Sequence, residues 1–144
     1  MKSRTWKALL RFWAADRGLS IFLGLLILII FVLPALATPG HAPAHSAFVV
    51  ADRRRGSDEP WLVFTGDSLL IGDVGRPDLH VAGDPLGQAR LLHASLEKLL
   101  ELPDHVVVHP SHYAGSVCGR GLSGNPFSSI GFERAHNTML QYDD

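Results

Sequence analysis

Two strand-like stretches of this 144-residue chain end in side chains able to bind a metal. Leu62-Val-Phe-Thr-Gly-Asp67 leads an apolar, β-branched segment into a glycine and then an aspartate. Val106-Val-Val-His-Pro-Ser-His112 leads a second segment through a Pro-Ser turn into a histidine. A strand fixes position while the turn after it exposes the side chain, which is how rigid scaffolds present ligands. Carboxylate oxygen and imidazole nitrogen together suit zinc or non-haem iron. Each residue alone has a plainer explanation, since an aspartate after glycine is a common turn former. Eight histidines in the chain strengthen the metal reading. The single cysteine, Cys118, excludes an intrachain disulfide and a four-cysteine zinc site.

The elements that must hold these residues can be read from pattern. Thr38-Pro-Gly-His-Ala-Pro-Ala-His45 is turn-rich and unsuited to helix or strand. Ala47–Ala51 and Trp61–Thr65 read as strands, with a charged, hairpin-like loop over Asp52–Pro60 between them. Leu69-Leu-Ile71 is a short apolar piece before a glycine loop, Gly72 to Pro77. Asp84-Pro85 pairs an acidic N-cap with proline at the first helical position, and Ala89, Leu92, Leu96, Leu99 and Leu100 then repeat at three and four. That predicts a helix from Asp84 to Leu100, stopping before Pro103. Val106–Val108 reads as a buried strand, and Pro110–Pro126, with four glycines, as a long loop.

Charge divides the chain unevenly. Before Thr38 stand five basic residues, Lys2, Arg4, Lys7, Arg11 and Arg17, against the single acid Asp16; the remainder carries a net charge of −5. The overall net charge of −1 excludes a generally basic nucleic-acid binder, and no nucleic-acid partner is expected. Between the two parts, Leu19 to Ala37 is nineteen residues long and uncharged. As a helix it spans about 28 Å, close to the roughly 30 Å hydrocarbon core of a bilayer. The expected organisation is therefore a basic leader over 1–18, a transmembrane helix over 19–37 and a domain over 38–144. The positive-inside rule places the N-terminus in the cytoplasm and the domain on the far side. Two alternatives stay open: a signal peptide cleaved near Ala37, after Ala35-Leu36-Ala37, and a buried core helix.

Three ordered motifs then give the domain a resemblance. Thr38-Pro-Gly-His-Ala-Pro, Phe64-Thr-Gly-Asp-Ser-Leu-Leu-Ile-Gly-Asp-Val-Gly-Arg-Pro-Asp-Leu79 and Val108-His-Pro-Ser-His-Tyr-Ala-Gly-Ser116 together resemble the metallo-β-lactamase fold superfamily. The nearest branch is that of hydroxyacylglutathione hydrolases, persulfide dioxygenases and rhodanese-associated members, to which the tail Gly115–Arg134 is also similar. The resemblance covers about Thr38 to Gln141. It implies His41 as a metal ligand, Asp67 as the aspartate that bridges two metals or binds a single iron, and His112 as a ligand of the second metal. His45 falls where relatives also carry histidine without ligating metal, which implies a loop-structural or substrate-contact role. Gly72, Gly75 and Arg76 are expected to shape the loop beside the site.

One departure governs the functional expectation. The family's His-x-His-x-Asp-His motif is absent, and no His-x-His occurs anywhere in the chain. The resemblance therefore implies an α/β fold that is the C-terminal half of an αββα sandwich, and the apolar run adds one unrelated transmembrane helix before it. It also implies a zinc or iron site lacking half its ligands. Metal-dependent hydrolysis or sulfur dioxygenation of a small thiol ester or persulfide is expected to be weak or absent unless a second chain completes the fold. The other expectation is a membrane-anchored, non-catalytic remnant or interaction module.

Overall fold

The computed structural model describes residues 31–32, 35–55, 58–79, 83–114 and 123–141. Expectations that fall on 1–18, on 19–30, on His80 and on Cys118 lie outside the described residues. In chain order come strands β1 (Phe31–Val32), β2 (Ala35–Ala37), β3 (Ser46–Asp52), β4 (Leu62–Gly66), β5 (Leu69–Leu70) and β6 (Asp73–Val74). Helix α1 (Pro85–Leu100), β7 (Val107–Pro110), β8 (Ser128–Ser129) and helix α2 (Ile130–His136) follow. Short 3-10 turns stand at Arg53–Arg55 and Thr138–Leu140.

The main sheet runs β1-β3-β4-β7-β8, with β2 also paired to β3, and β5 and β6 form a separate hairpin. β3 and β4 are antiparallel, with Phe48 opposite Phe64. β4 and β7 are parallel and joined by the α1 crossover, so their C-terminal ends emerge at one edge of the sheet. Period-two alternation sorts the side chains. Ala47, Val49, Val63 and Val108 point into the core, where they meet Leu92, Leu96 and Leu99 of α1, Ile130 of α2 and Leu69 and Ile71 of the hairpin. The opposite face leaves Phe48 and Phe64 about half exposed. Helix α1 begins as its sequence predicts, with the Asp84 carboxylate accepting from the Gly87 amide at 2.9 Å and Pro85 in the first turn.

At its described residues the apolar run departs from the expected transmembrane helix. Phe31–Val32 and Ala35–Ala37, its C-terminal part, are strand and pair antiparallel with β3. A continuous apolar run has no period that separates helix from strand, so the open edge of β3 decides the matter. Pro34, which has no N–H to donate, lies between the two pieces. The sheet thus takes in residues before Thr38, and among the described residues no helix is long and apolar enough to cross a membrane. A second correction concerns the C-terminus: α2 is a helix that the pattern reading did not find. Seven residues with a glycine second are too few to show a period, and only Ser129, whose hydroxyl caps the Phe132 amide at 3.2 Å, marks its start.

Candidate metal centre

Asp67 sits directly beyond β4, turned by Gly66. Gly66 has φ +55°, and a Cβ there would stand 2.5 Å from His45 Nε2, so the position needs glycine on both counts. The Asp67 amide donates to His45 Nε2 at 3.0 Å. Because that nitrogen accepts, the neutral ring carries its proton on Nδ1, which faces Thr38 Oγ1 at 2.8 Å and Ser68 Oγ at 3.1 Å. Ser68 in turn donates to the Thr38 carbonyl at 3.1 Å. Burial pushes the His45 pKa below its ordinary value, against the opposing pull of the Asp67 charge. His45 is thus a neutral strut that ties the Thr38–His45 turn to the end of β4.

His41 is placed by the same turn, which closes through Thr38 N–H to the His45 carbonyl at 2.9 Å. Helix α1 holds the turn from behind, with Ser95 Oγ donating to the Pro39 carbonyl at 2.7 Å. The His41 side chain is only 3% exposed. Its Nδ1 lies 3.0 Å from the Arg76 carbonyl, and since a carbonyl only accepts, Nδ1 carries the proton. Nε2 is left as the nitrogen that faces Asp67 Oδ2, 3.5 Å away. Fixing one ring nitrogen with a backbone carbonyl so that the other faces the site is the usual orientation device for a ligating histidine.

His112 arrives from the far side. The parallel β4–β7 pairing carries Ser111 to the Gly66 carbonyl, to which its amide donates at 3.0 Å. The Ser111 hydroxyl donates to Asp67 Oδ1. His112 Nε2 lies 3.2 Å from that same oxygen. The three residues singled out from the sequence thus meet at one carboxylate, which offers one oxygen to each histidine. Sequence reasoning did not find the Ser111 contact, whose one signal was its place between Pro110 and His112.

The separations permit a test of fit. Two ligands about 2.1 Å from one tetrahedral ion stand about 3.4 Å apart, and both histidine–carboxylate gaps are of that size. The donors are right in kind, imidazole and carboxylate. They fall short in number: among the described residues, no three His, Cys, Asp or Glu side chains group around a single ion position.

Other candidates sit elsewhere. Arg76 bonds Asp78 through its Nε at 3.0 Å. His109 lies between the rings of Phe64 and Phe127, with centroids 5.7 and 6.1 Å away. His105 bonds the Pro60 carbonyl at 3.1 Å, and His136 lies against Phe132. A cleft of about 670 Å³ between the Gly72–Asp78 segment and α1 is lined by Val74, Arg76, Leu92, His93 and Met139 among others. None of His41, Asp67 and His112 lines it.

No family model matches the chain. It is 40% identical over 97 residues to the probable metallo-hydrolase YqgX of Bacillus subtilis, covering 67% of this chain and 41% of that protein. It is 32% identical over 98 residues to the hydroxyacylglutathione hydrolase GloC of Haemophilus influenzae, with the same two coverages. To the mitochondrial persulfide dioxygenase ETHE1 of Mus musculus it is 36% identical over 83 residues, covering 57% of this chain and 28% of that one. Among solved structures, a metallo-β-lactamase from Staphylococcus aureus superposes with a TM-score of 0.70 at 35% identity, covering 78% of this chain and 32% of its own. A di-iron-bound form of TTHA1623 superposes at 0.51 with 37% identity, covering 75% and 42%. The chain spans about 41% of the length of the first two curated relatives. Over about two thirds of its length, this chain is homologous to proteins of the metallo-β-lactamase fold.

Proposed function

We propose that the domain supplies one half of a zinc or iron centre that acts on a small thiol ester or persulfide. One observation carries the reading: the two oxygens of Asp67 face His41 Nε2 and His112 Nε2 across gaps sized for a metal. His41 and Asp67 would hold one ion, and Asp67 and His112 a second. A bound metal supplies polarisation of the substrate and a water of lowered pKa. The chain's own residues do the rest. Arg76 fixes the proton-bearing side of His41, Ser111 orients the carboxylate, and His45 holds the two ligand turns together.

With two protein donors per ion, the chain alone binds metal weakly and turns over little. A second polypeptide bringing further imidazole or carboxylate ligands completes the site. Metal analysis of the full chain tests this. Zinc or iron should bind below one equivalent after dialysis and fall further in Asp67→Ala. Metal content unaffected by that substitution would overturn the reading.

A second reading, an interaction module attached to a membrane, draws on the exposed aromatic row of Phe48, Phe64 and Phe127. Its membrane attachment would fall to residues before Phe31, with the N-terminus in the cytoplasm. Twelve residues, 19–30, reach only about 18 Å as a helix, so a span would have to draw on residues before Leu19 as well. Recovery of the chain in a membrane fraction after alkaline washing would favour this reading.

A further inference from the structure

Glu133 on α2 is 1% exposed, far in sequence from His41 and Asp67, and has no part in the ligand set. Its Oε2 accepts from the Gly72 amide at 2.9 Å and from Asn137 Nδ2 at 2.9 Å, while its Oε1 is buried without a hydrogen-bond partner among the described residues. Asn137, also 1% exposed, reaches with the same amide group to the Asp73 carbonyl at 3.0 Å and the Leu70 carbonyl at 3.4 Å. Both strands of the β5–β6 hairpin and the turn between them are therefore pinned to one turn of the C-terminal segment. Burying a carboxyl is costly, and apolar packing would have filled this space at lower cost. What the pair gains is position.

The base of that hairpin is the wall of the candidate metal centre. Gly75 donates to the Ser68 carbonyl at 3.1 Å, closing the hairpin directly beside Asp67. Gly75 packs so closely that a Cβ there would overlap the Asp67 carbonyl oxygen. The next residue, Arg76, holds His41 Nδ1. We infer that Glu133, together with Asn137, is a positioning residue that sets the His41–Asp67 geometry through the Gly72–Arg76 segment. The inference rests on the reading of that pair as metal ligands, and its test separates the two.

The full chain and its Glu133→Ala, Glu133→Gln, Asn137→Ala and Asp67→Ala variants would be titrated with Co(II). In parallel, the imidazole N–H signal of His41 Nδ1 would be followed by NMR without metal. Glu133→Ala should weaken Co(II) binding by about tenfold, the low end for loss of an outer-shell partner, and shift the His41 signal. Glu133→Gln should restore both, because its carbonyl oxygen accepts from Gly72 and Asn137 alike. Asn137→Ala should act as Glu133→Ala does, which keeps the test open if Glu133→Ala does not fold. If the wild-type chain binds Co(II) no better than Asp67→Ala, the metal reading fails and the His41 signal alone decides. A His41 signal and a Co(II) affinity unchanged in folded Glu133→Ala and Asn137→Ala would overturn the inference.

Discussion

At the residue scale, the centre is held by close approaches as much as by hydrogen bonds. Gly75 has no room for a side chain, because a Cβ there would run into the backbone of Asp67 and stand 3.2 Å from the Cβ of His41. Backbone cannot step aside as a flexible side chain can. Gly75→Ala should therefore cost about 1–3 kcal/mol, the usual range for overpacking. Urea denaturation would measure it, and the same variant should lose metal binding. His45 makes a different kind of contribution. Its removal in His45→Ala takes from the Asp67 amide and the Thr38 hydroxyl their partner in a part-buried turn, while Ser68 keeps the Thr38 carbonyl. A loss of about 1–3 kcal/mol per unsatisfied group is expected, seen as a lower urea midpoint with an unchanged slope.

At the scale of elements, helix α1 and strands β4 and β7 carry the arrangement. The helix was readable because its signals are local: Asp84 caps, Pro85 starts, and the leucines repeat at helical spacing. Asp84→Ala removes the acceptor of the Gly87 amide and should destabilise the domain by about 1 kcal/mol, a drop that thermal unfolding would show. Strands β3, β4 and β7 were readable from alternation and β-branched content. Their pairing was not. Ser111 meets Asp67 across 44 residues only because β7 lies parallel to β4, and nothing in either segment names its neighbour. Helix α2 was missed for the opposite reason: its signal is local but too short to stand out.

At the scale of the whole molecule, helices cover one face of the sheet, and the other leaves Phe48 at 47% and Phe64 at 49% exposure. These two lie opposite each other on neighbouring strands, so the apolar surface is contiguous. Such a surface favours association. Phe64→Lys should leave the unfolding free energy within about 0.5 kcal/mol, as expected for a surface site. It should also reduce self-association in sedimentation velocity and lower the binding of an apolar dye. A strongly destabilised Phe64→Lys would mean instead that the face is buried in the folded chain.

The sequence by itself determined which residues could serve as ligands and which local elements present them. Asp67 after a strand and a glycine, His112 after a strand and a Pro-Ser turn, and the Asp84–Leu100 helix are all encoded within a few residues of themselves. Tertiary structure alone decided the rest. It made strand of Phe31–Val32 and Ala35–Ala37, because an apolar run suits helix and strand alike until an open sheet edge claims it. It brought His41 and His112 to opposite oxygens of one carboxylate, because a turn closed by His45 and a parallel strand pair both end there. It also gave Glu133 its place, since a buried carboxyl 61 residues from Gly72 finds that amide only when the chain is folded.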